Sequence, residues 1–422
     1  MNRSQRIDRE RDRVRDDTRV SVSYNAGVLT WVEHPAHEPA GRPEDRTRQP
    51  ASRPQYRTRR PANRRASEPR QAQQARHEPT GTTKRPLAQR LATMHPTQLE
   101  AMTGLALAVI LAGLFVVIDY VNRPVDVKTV IVGTTPNAVA VDSSTNTIYV
   151  TNNLPETVSV IDGSTHMVMA TVPVGHHPDG VAVDPGTHTV YVANSDSHTM
   201  SVINGLTNTV TATLPVGNTP FGVAVDPGTH TVYVANYGHP TVSVIDGLTN
   251  TVTASVRVGN GPFGVAVDPA THTVYATNSG DHTVSVINGS THTVTATVPL
   301  GNTAGGVAVD PSTHTVYVAN YGHPTVSVID GYKNIVTASV RVGNNPFGVA
   351  VDPATHTVYV TDFADSTVSE IDGSTHAVAA TAPVGNNPDA VAVDPATRTV
   401  YVTNYADHMV SVVKAREGSD GA

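Results

Sequence analysis

Gly217 to Val258 reads GNTPFGVAVDPGTHTVYVANYGHPTVSVIDGLTNTVTASVRV, and near-copies open at Gly133, Gly175, Gly217, Gly259, Gly301, Gly343 and Gly385, one every 42 residues. A repeat of about 40–45 residues holding four short strands is the signature of a propeller blade. Within this unit the pattern predicts strand a over Gly222–Val225, b over Thr231–Ala235, c over Thr241–Ile245 and d over Thr251–Val258. After its glycine, strand a is Val and Ala only, without the apolar–polar alternation of a sheet wetted on one face, as suits a blade sandwiched between neighbours. The Thr-rich strand d belongs at a solvated rim. Asp226-Pro227 marks the a–b turn and Asp246-Gly247 the c–d turn. The seven aspartates from Asp142 to Asp394 resemble a carboxylate ring, but their expected work is bonding backbone N–H groups inside each turn.

Six units are complete, whereas the seventh, from Gly385, stops after strand c near Val413. Its missing strand d is supplied by Val125–Val132 (VDVKTVIV), which runs into Gly133 in the register of the other strands d. Such Velcro closure leaves no sheet with a free edge. The expected fold is therefore all-β, a seven-bladed propeller over residues 122–414. Ile148-Tyr149-Val150-Thr151-Asn152 and Val400-Tyr401-Val402-Thr403-Asn404 carry the tetrapeptide after which the YVTN β-propeller repeat family is named, and the units from Gly175, Gly217 and Gly301 carry Tyr-Val-Ala-Asn. The chain resembles that family over roughly residues 125–413. The resemblance implies binding or structural work in a bacterial or archaeal envelope or surface layer, and it transfers no catalytic residue.

Residues 1–96 hold 21 Lys+Arg against 11 Asp+Glu, and from residue 101 onward there are 8 against 24. A basic segment thus joins an acidic body. Residues 1–96 are rich in Arg, Pro and Gln and poor in large apolar side chains, the composition of a disordered tail. Within them Val20–Val32 alternates on either side of Asn25-Ala26-Gly27, a hairpin pattern marginal by itself. It reads either as a partner-binding segment or as plain unstructured chain, with the second preferred. A start at Met94 would remove the tail and keep the membrane anchor expected beyond it.

Ala101–Ile118, AMTGLALAVILAGLFVVI, is the one long apolar stretch, and no charge interrupts it. Eighteen helical residues span roughly 27 Å, and Thr97 with Glu100 forms a capping box ahead of them. Residues 97–121 are therefore expected to be a transmembrane signal-anchor helix. Lys84, Arg85 and Arg90 on its N-terminal flank place the tail in the cytoplasm and the propeller outside. The basic tail suits anionic membrane lipid. Nucleic acid is disfavoured, because Tyr56 is the only aromatic in the densest Arg run. Gly104, Ala108 and Ala112 form a small-residue stripe that allows lateral pairing of helices. Residues 415–422 are expected to be disordered. With no cysteine, disulfides and thiolate metal sites are excluded.

Loops of a propeller alternate between its two ends. The a–b and c–d turns gather His188, His230, His272, His314 and His356 with His166, His292 and His376 on one end. Their spacing of two strands, about 9–10 Å, disfavours a shared metal. The other end carries Phe221, Phe263 and Phe347, each after a proline, and the loops Tyr237-Gly238-His239-Pro240 and Tyr321-Gly322-His323-Pro324. The phenylalanines fit either an apolar mouth for a ligand or partner side chain or core plugs. His176, His177, Asp179, Asp196 and His198 form the most chemically loaded loop set, suited to a metal, although solvated polar loops explain them as well. No cofactor is expected and no catalytic residue is assigned. The expected function is a membrane-anchored extracytoplasmic binding or envelope-structural module, facing an envelope protein, glycan or small ligand. The alternative is a lactonase-like hydrolase or lyase at the axial mouth, against which stands the uniform GVAVD or AVAVD of strand a.

Overall fold

The computed structural model describes residues 127–414 together with Ser21–Asn25 and Val28–Val32. The expected membrane segment, the rest of the basic tail and the C-terminal residues lie outside the described residues. The two N-terminal strands pair antiparallel from Ser21↔Val32 to Asn25↔Val28.

Residues 127–414 form seven four-stranded antiparallel sheets, numbered here as blades 1 to 7 from the glycines at 133 to 385. In blade 3 the strands are Pro220–Asp226, Thr231–Asn236, Thr241–Asp246 and Thr251–Arg257. Blade 7 takes Pro388–Asp394, Thr399–Asn404 and Met409–Lys414 from the C-terminal end and Val127–Ile131 as its fourth strand. The closing strand runs antiparallel to Met409–Lys414, from Val127↔Val413 to Ile131↔Met409. It enters at the end of the disc that carries the a–b and c–d turns.

The core is a set of seams between blades. Tyr233, Val242 and Val244 of blade 3 pack on Val265, Val274, Ala276 and Ile287 of blade 4, and Tyr401, Val410 and Val412 of blade 7 pack with Val130 on Val139, Ile148, Val150 and Ile161 of blade 1. Strands b and c are buried on both faces, whereas strand d presents most of its side chains outward as the rim. Close to the axis the blades approach to backbone contact. A Cβ added at Gly222 would stand 2.5 Å from Phe263 O, so only glycine fits there.

The tetrapeptide residues bridge the seams. The Tyr191 hydroxyl donates to Gly247 O of the next blade at 3.1 Å, and burial with the charge of Asp184 pushes its phenol up to about 12. Asn236 Nδ2 donates to Thr241 and Ser243 on strand c, each at 3.0 Å.

The turn aspartates and histidines meet as well. Asp226 Oδ1 accepts from Gly228 N at 3.0 Å, as the turn requires, while Oδ2 accepts from His272 Nδ1 of the next blade at 2.6 Å. The same clasp joins His188 to Asp142, His230 to Asp184, His314 to Asp268 and His356 to Asp310. Each carboxylate is buried. Burial would raise the Asp142 and Asp310 carboxyls, but hydrogen bonds from Ser144 and His188, and from Ser312 and His356, hold both below the usual carboxylate range. The turn histidines are thus more than surface residues. They adopt positive φ, 56° at His230 and 53° at His272, in a region where Asn and His are enriched. Asn146 of blade 1 and Arg398 of blade 7 stand at the equivalent positions, so both seams of the closing blade lack the clasp. Asp226→Ala is expected to destabilise the propeller by about 1–3 kcal/mol in denaturant unfolding, because it removes a buried carboxylate together with its hydrogen bonds from Gly228 N and His272 Nδ1. A loss below about 0.5 kcal/mol, the level of an inert surface change, would show the clasp to be idle.

Candidate functional site at the axial mouth

In every blade the pairing of strands a and b slips by one residue just after the strand begins. In blade 3 the slip lies between Pro220 and Val223, and in blade 7 between Pro388 and Val391. A bulge of this kind re-aims a side chain. The residue that follows the proline of each strand a, or Ala304 in blade 5, sits in it and turns to the axis. These ring residues are Asn137, Asp179, Phe221, Phe263, Gly305, Phe347 and Asp389 in blades 1 to 7.

The ring breaks the symmetry of the frame that carries it. Blades 7, 1 and 2 form a polar arc of Asp389, Asn137 and Asp179, and blades 3 to 6 an apolar arc. Both arcs line a cavity of about 170 Å³ at the axis. On the apolar side Phe221 and Phe263 lie 4.5 Å apart between ring centroids. Phe263 reaches Phe347 at 5.4 Å across the space that Gly305 leaves open. Tyr237 packs on Phe221 at 6.2 Å, and Tyr321 and Phe363 back Phe347 at 5.8 and 6.3 Å. All three ring phenylalanines are half-buried and line the cavity.

On the polar side Asn137 Nδ2 donates to Asp179 Oδ1 at 2.5 Å, and His177 Nδ1 lies 3.4 Å from Asp179 Oδ2. Asp389, 6 % exposed, has its Oδ1 buried without a hydrogen-bond partner. Burial, with the charge of Asp179 added, pushes the Asp389 carboxyl well above its ordinary value.

The alternation of Thr and Ala in the tetrapeptide follows the ring. Thr151, Thr277, Thr361 and Thr403 donate to the carbonyls of Asp179, Gly305, Asp389 and Asn137 in the next blade, at 2.8–2.9 Å. Each also accepts from the N–H just beyond its own ring residue, at 2.7–2.9 Å. One hydroxyl therefore fixes two successive bulges. Ala193, Ala235 and Ala319 stand in the three remaining blades, and each precedes a ring phenylalanine.

The loop set of blade 2 is dispersed. His176 Nδ1 lies 2.7 Å from Glu156 of blade 1, His198 Nδ1 accepts from Thr219 N of blade 3 at 3.0 Å, and Asp196 is exposed. Only His177 and Asp179 meet. Among the described residues no three His, Asp or Glu side chains are placed to hold a metal. His239 and His323 are exposed on the b–c loops, outside the aromatic wall that Tyr237 and Tyr321 join. Asn137, Asp389, Gly305 and Phe363 were not singled out from the sequence. The signal for the first three was the residue two places ahead of each strand-a valine pair, read around all seven units.

Ser195 Oγ, His177 and Asp179 suggest a nucleophilic triad, but their wiring excludes it. Ser195 Oγ and Asp179 Oδ2 both address His177 Nδ1, at 3.2 and 3.4 Å, whereas a triad needs the two ring nitrogens to serve serine and aspartate separately. Ser195 Oγ also donates to His177 O at 3.1 Å.

These features define a seven-bladed β-propeller with a two-sided axial mouth. A family model for YNCE-like beta-propellers matches residues 263–418. Among solved structures the chain is similar to Kuenenia stuttgartiensis hydrazine synthase, with a TM-score of 0.61 and 20 % identity, covering 67 % of this chain and 96 % of that one. At that identity the likeness is one of fold. Comparison with curated proteins found no match.

Proposed function

We propose that the protein is a membrane-anchored, extracytoplasmic recognition module whose axial mouth receives a small ligand or a partner's side chain. The observation that carries this reading is the split ring: the Val-Ala-Val-Asp that follows the bulge in strand a is the same in all seven blades, while the seven ring residues divide into a carboxylate-bearing arc and an aromatic one. A constant strand that carries a varied lining is what a binding site requires, and function is argued from the site rather than from the fold. A hydrolase or lyase at the same mouth would need a positioned nucleophile or base, which the shared His177 nitrogen does not provide. The closing strand Val127–Ile131 begins at the clasp end of the disc, opposite the mouth.

The test uses the full chain in its own membrane. Phe263→Asp is expected to abolish retention of the ligand or envelope partner that co-purifies with the wild type, whereas Leu248→Asp, on the opposite end, should retain it. In the cysteine-free chain, His239→Cys should react with an impermeant maleimide on intact cells. Retention by Phe263→Asp, or protection of the introduced thiol, would count against the reading.

A further inference from the structure

The polar arc has one unmet need. Asp179 is engaged by Asn137 on one oxygen and approached by His177 on the other. The carbonyl of Asp389 is taken by Thr361. Asp389 Oδ1 alone among the ring side chains is buried without a partner, and its residue lines the cavity. A buried acceptor of this kind normally finds a donor. Two carboxyl groups and no cationic side chain line the cavity, so an anionic ligand finds no counter-charge there, and facing aromatic rings attract a cation through their π-faces. An ammonium group, a compact point charge with three donors, can meet such an acceptor. The apolar arc then receives an alkyl stem.

We propose that the axial mouth binds the ammonium end of an alkylamine, with the Asp389 carboxylate accepting its hydrogen bond and Phe221, Phe263 and Phe347 enclosing the stem. This rests on the recognition function proposed for the mouth and names its ligand chemistry, which a free amine or the lysine side chain of a partner can supply. The groups that face Asp389 are Asp179, itself bonded to Asn137 and His177, and Tyr321, whose phenol the Asp389 charge helps to raise. Burial and the charge of Asp179 raise the Asp389 carboxyl, so wherever it is protonated in the empty site an arriving ammonium displaces that proton: the carboxylic acid and the cation give an ion pair and one free proton. Affinity must therefore rise with pH until Asp389 is ionised in the empty protein.

The experiment is calorimetric titration of the detergent-solubilised full chain with n-butylammonium, butyrate, 1-butanol and Nα-acetyl-lysine amide. Butylammonium is expected to bind and to release a proton, seen as a heat that scales with the ionisation enthalpy of the buffer. Its affinity should fall about tenfold or more in Asp389→Asn, the range of a hydrogen bond to a charged group, and stay unchanged in Leu248→Ser. Binding of the lysine amide as well identifies a partner's side chain as the source, and binding of butylammonium alone a free amine. Preference for butyrate or butanol, or absence of butylammonium binding at millimolar concentration, overturns the proposal. If that happens while Phe263→Asp still loses the co-purifying ligand, the recognition reading stands and only the cation is wrong.

Discussion

Removal of Val127–Ile131 is expected to convert a monodisperse protein into one that aggregates on size exclusion and melts without a cooperative transition. The deletion uncovers Met409–Lys414 as an edge along which another chain can add, and strips the apolar seam of Val130 from blade 7 and blade 1. Blade 7 is also the blade without an Asp–His clasp on either side. Asp352 Oδ2 faces Arg398 rather than histidine and has no hydrogen-bond partner, and the Tyr401 hydroxyl is likewise buried without one. The closing strand therefore carries a larger share of ring closure than any other outer strand. Adjacent substitutions give the sharper version of the experiment. Val130→Asp, at a position 5 % exposed, buries an unpaired charge and should cost about 3–5 kcal/mol. Ile131→Asp, at a position 79 % exposed, should be tolerated within about 0.5 kcal/mol. Equal effects at the two positions would mean that the strand does not seat in this register.

Asp389→Asn is expected to make the empty protein more stable at neutral pH, by roughly 1–3 kcal/mol, since it replaces a carboxyl that cannot ionise without loss of solvation by a neutral amide of the same shape. The pH dependence has a definite sign. The folded-state carboxyl titrates above its ordinary value of 3.8 because it is buried and faces Asp179. Below that ordinary value the carboxyl is protonated in both states and contributes nothing. As pH rises through and beyond it, the unfolded chain releases the proton first, and the folded state loses stability relative to the variant until the folded carboxyl ionises too. The difference in melting temperature between wild type and Asp389→Asn should therefore widen from acid toward neutral pH. A constant difference, or a variant less stable throughout, would place Asp389 in a solvated environment. Together with the expected weakening of butylammonium binding, the result would describe a site held at a cost to stability.

Much of the frame was legible because each blade states it independently. The strand boundaries around Thr231 and Thr241, the turn role of Asp226 and the closure by the segment before Gly133 all come from local rules applied seven times. Residues that act between blades were less legible. His272 looked like a surface turn residue because its partner, Asp226, lies 46 positions away in the chain, a separation that only the stacking of blades turns into a 2.6 Å contact. The loaded loop of blade 2 misled for the opposite reason. His176, His177 and His198 are close in sequence, but the twist of the blade sends each to a different neighbour.

The 42-residue sentence by itself determined the all-β propeller, the blade count and the shared seventh blade, because hydrophobic pattern and turn chemistry are local and repeat. The tertiary structure decided which residues of the repeat come together. Asp389, Asn137 and Asp179 are scattered over more than 250 positions and look like minor departures from a consensus. They become one arc only when the ring closes and the bulge in each strand a turns its ring residue to the axis. The same closure faces them with Phe221, Phe263 and Phe347, and leaves one carboxylate oxygen of that arc, Asp389 Oδ1, buried without a partner. A one-dimensional repeat records which residues differ; the circle decides which of them meet.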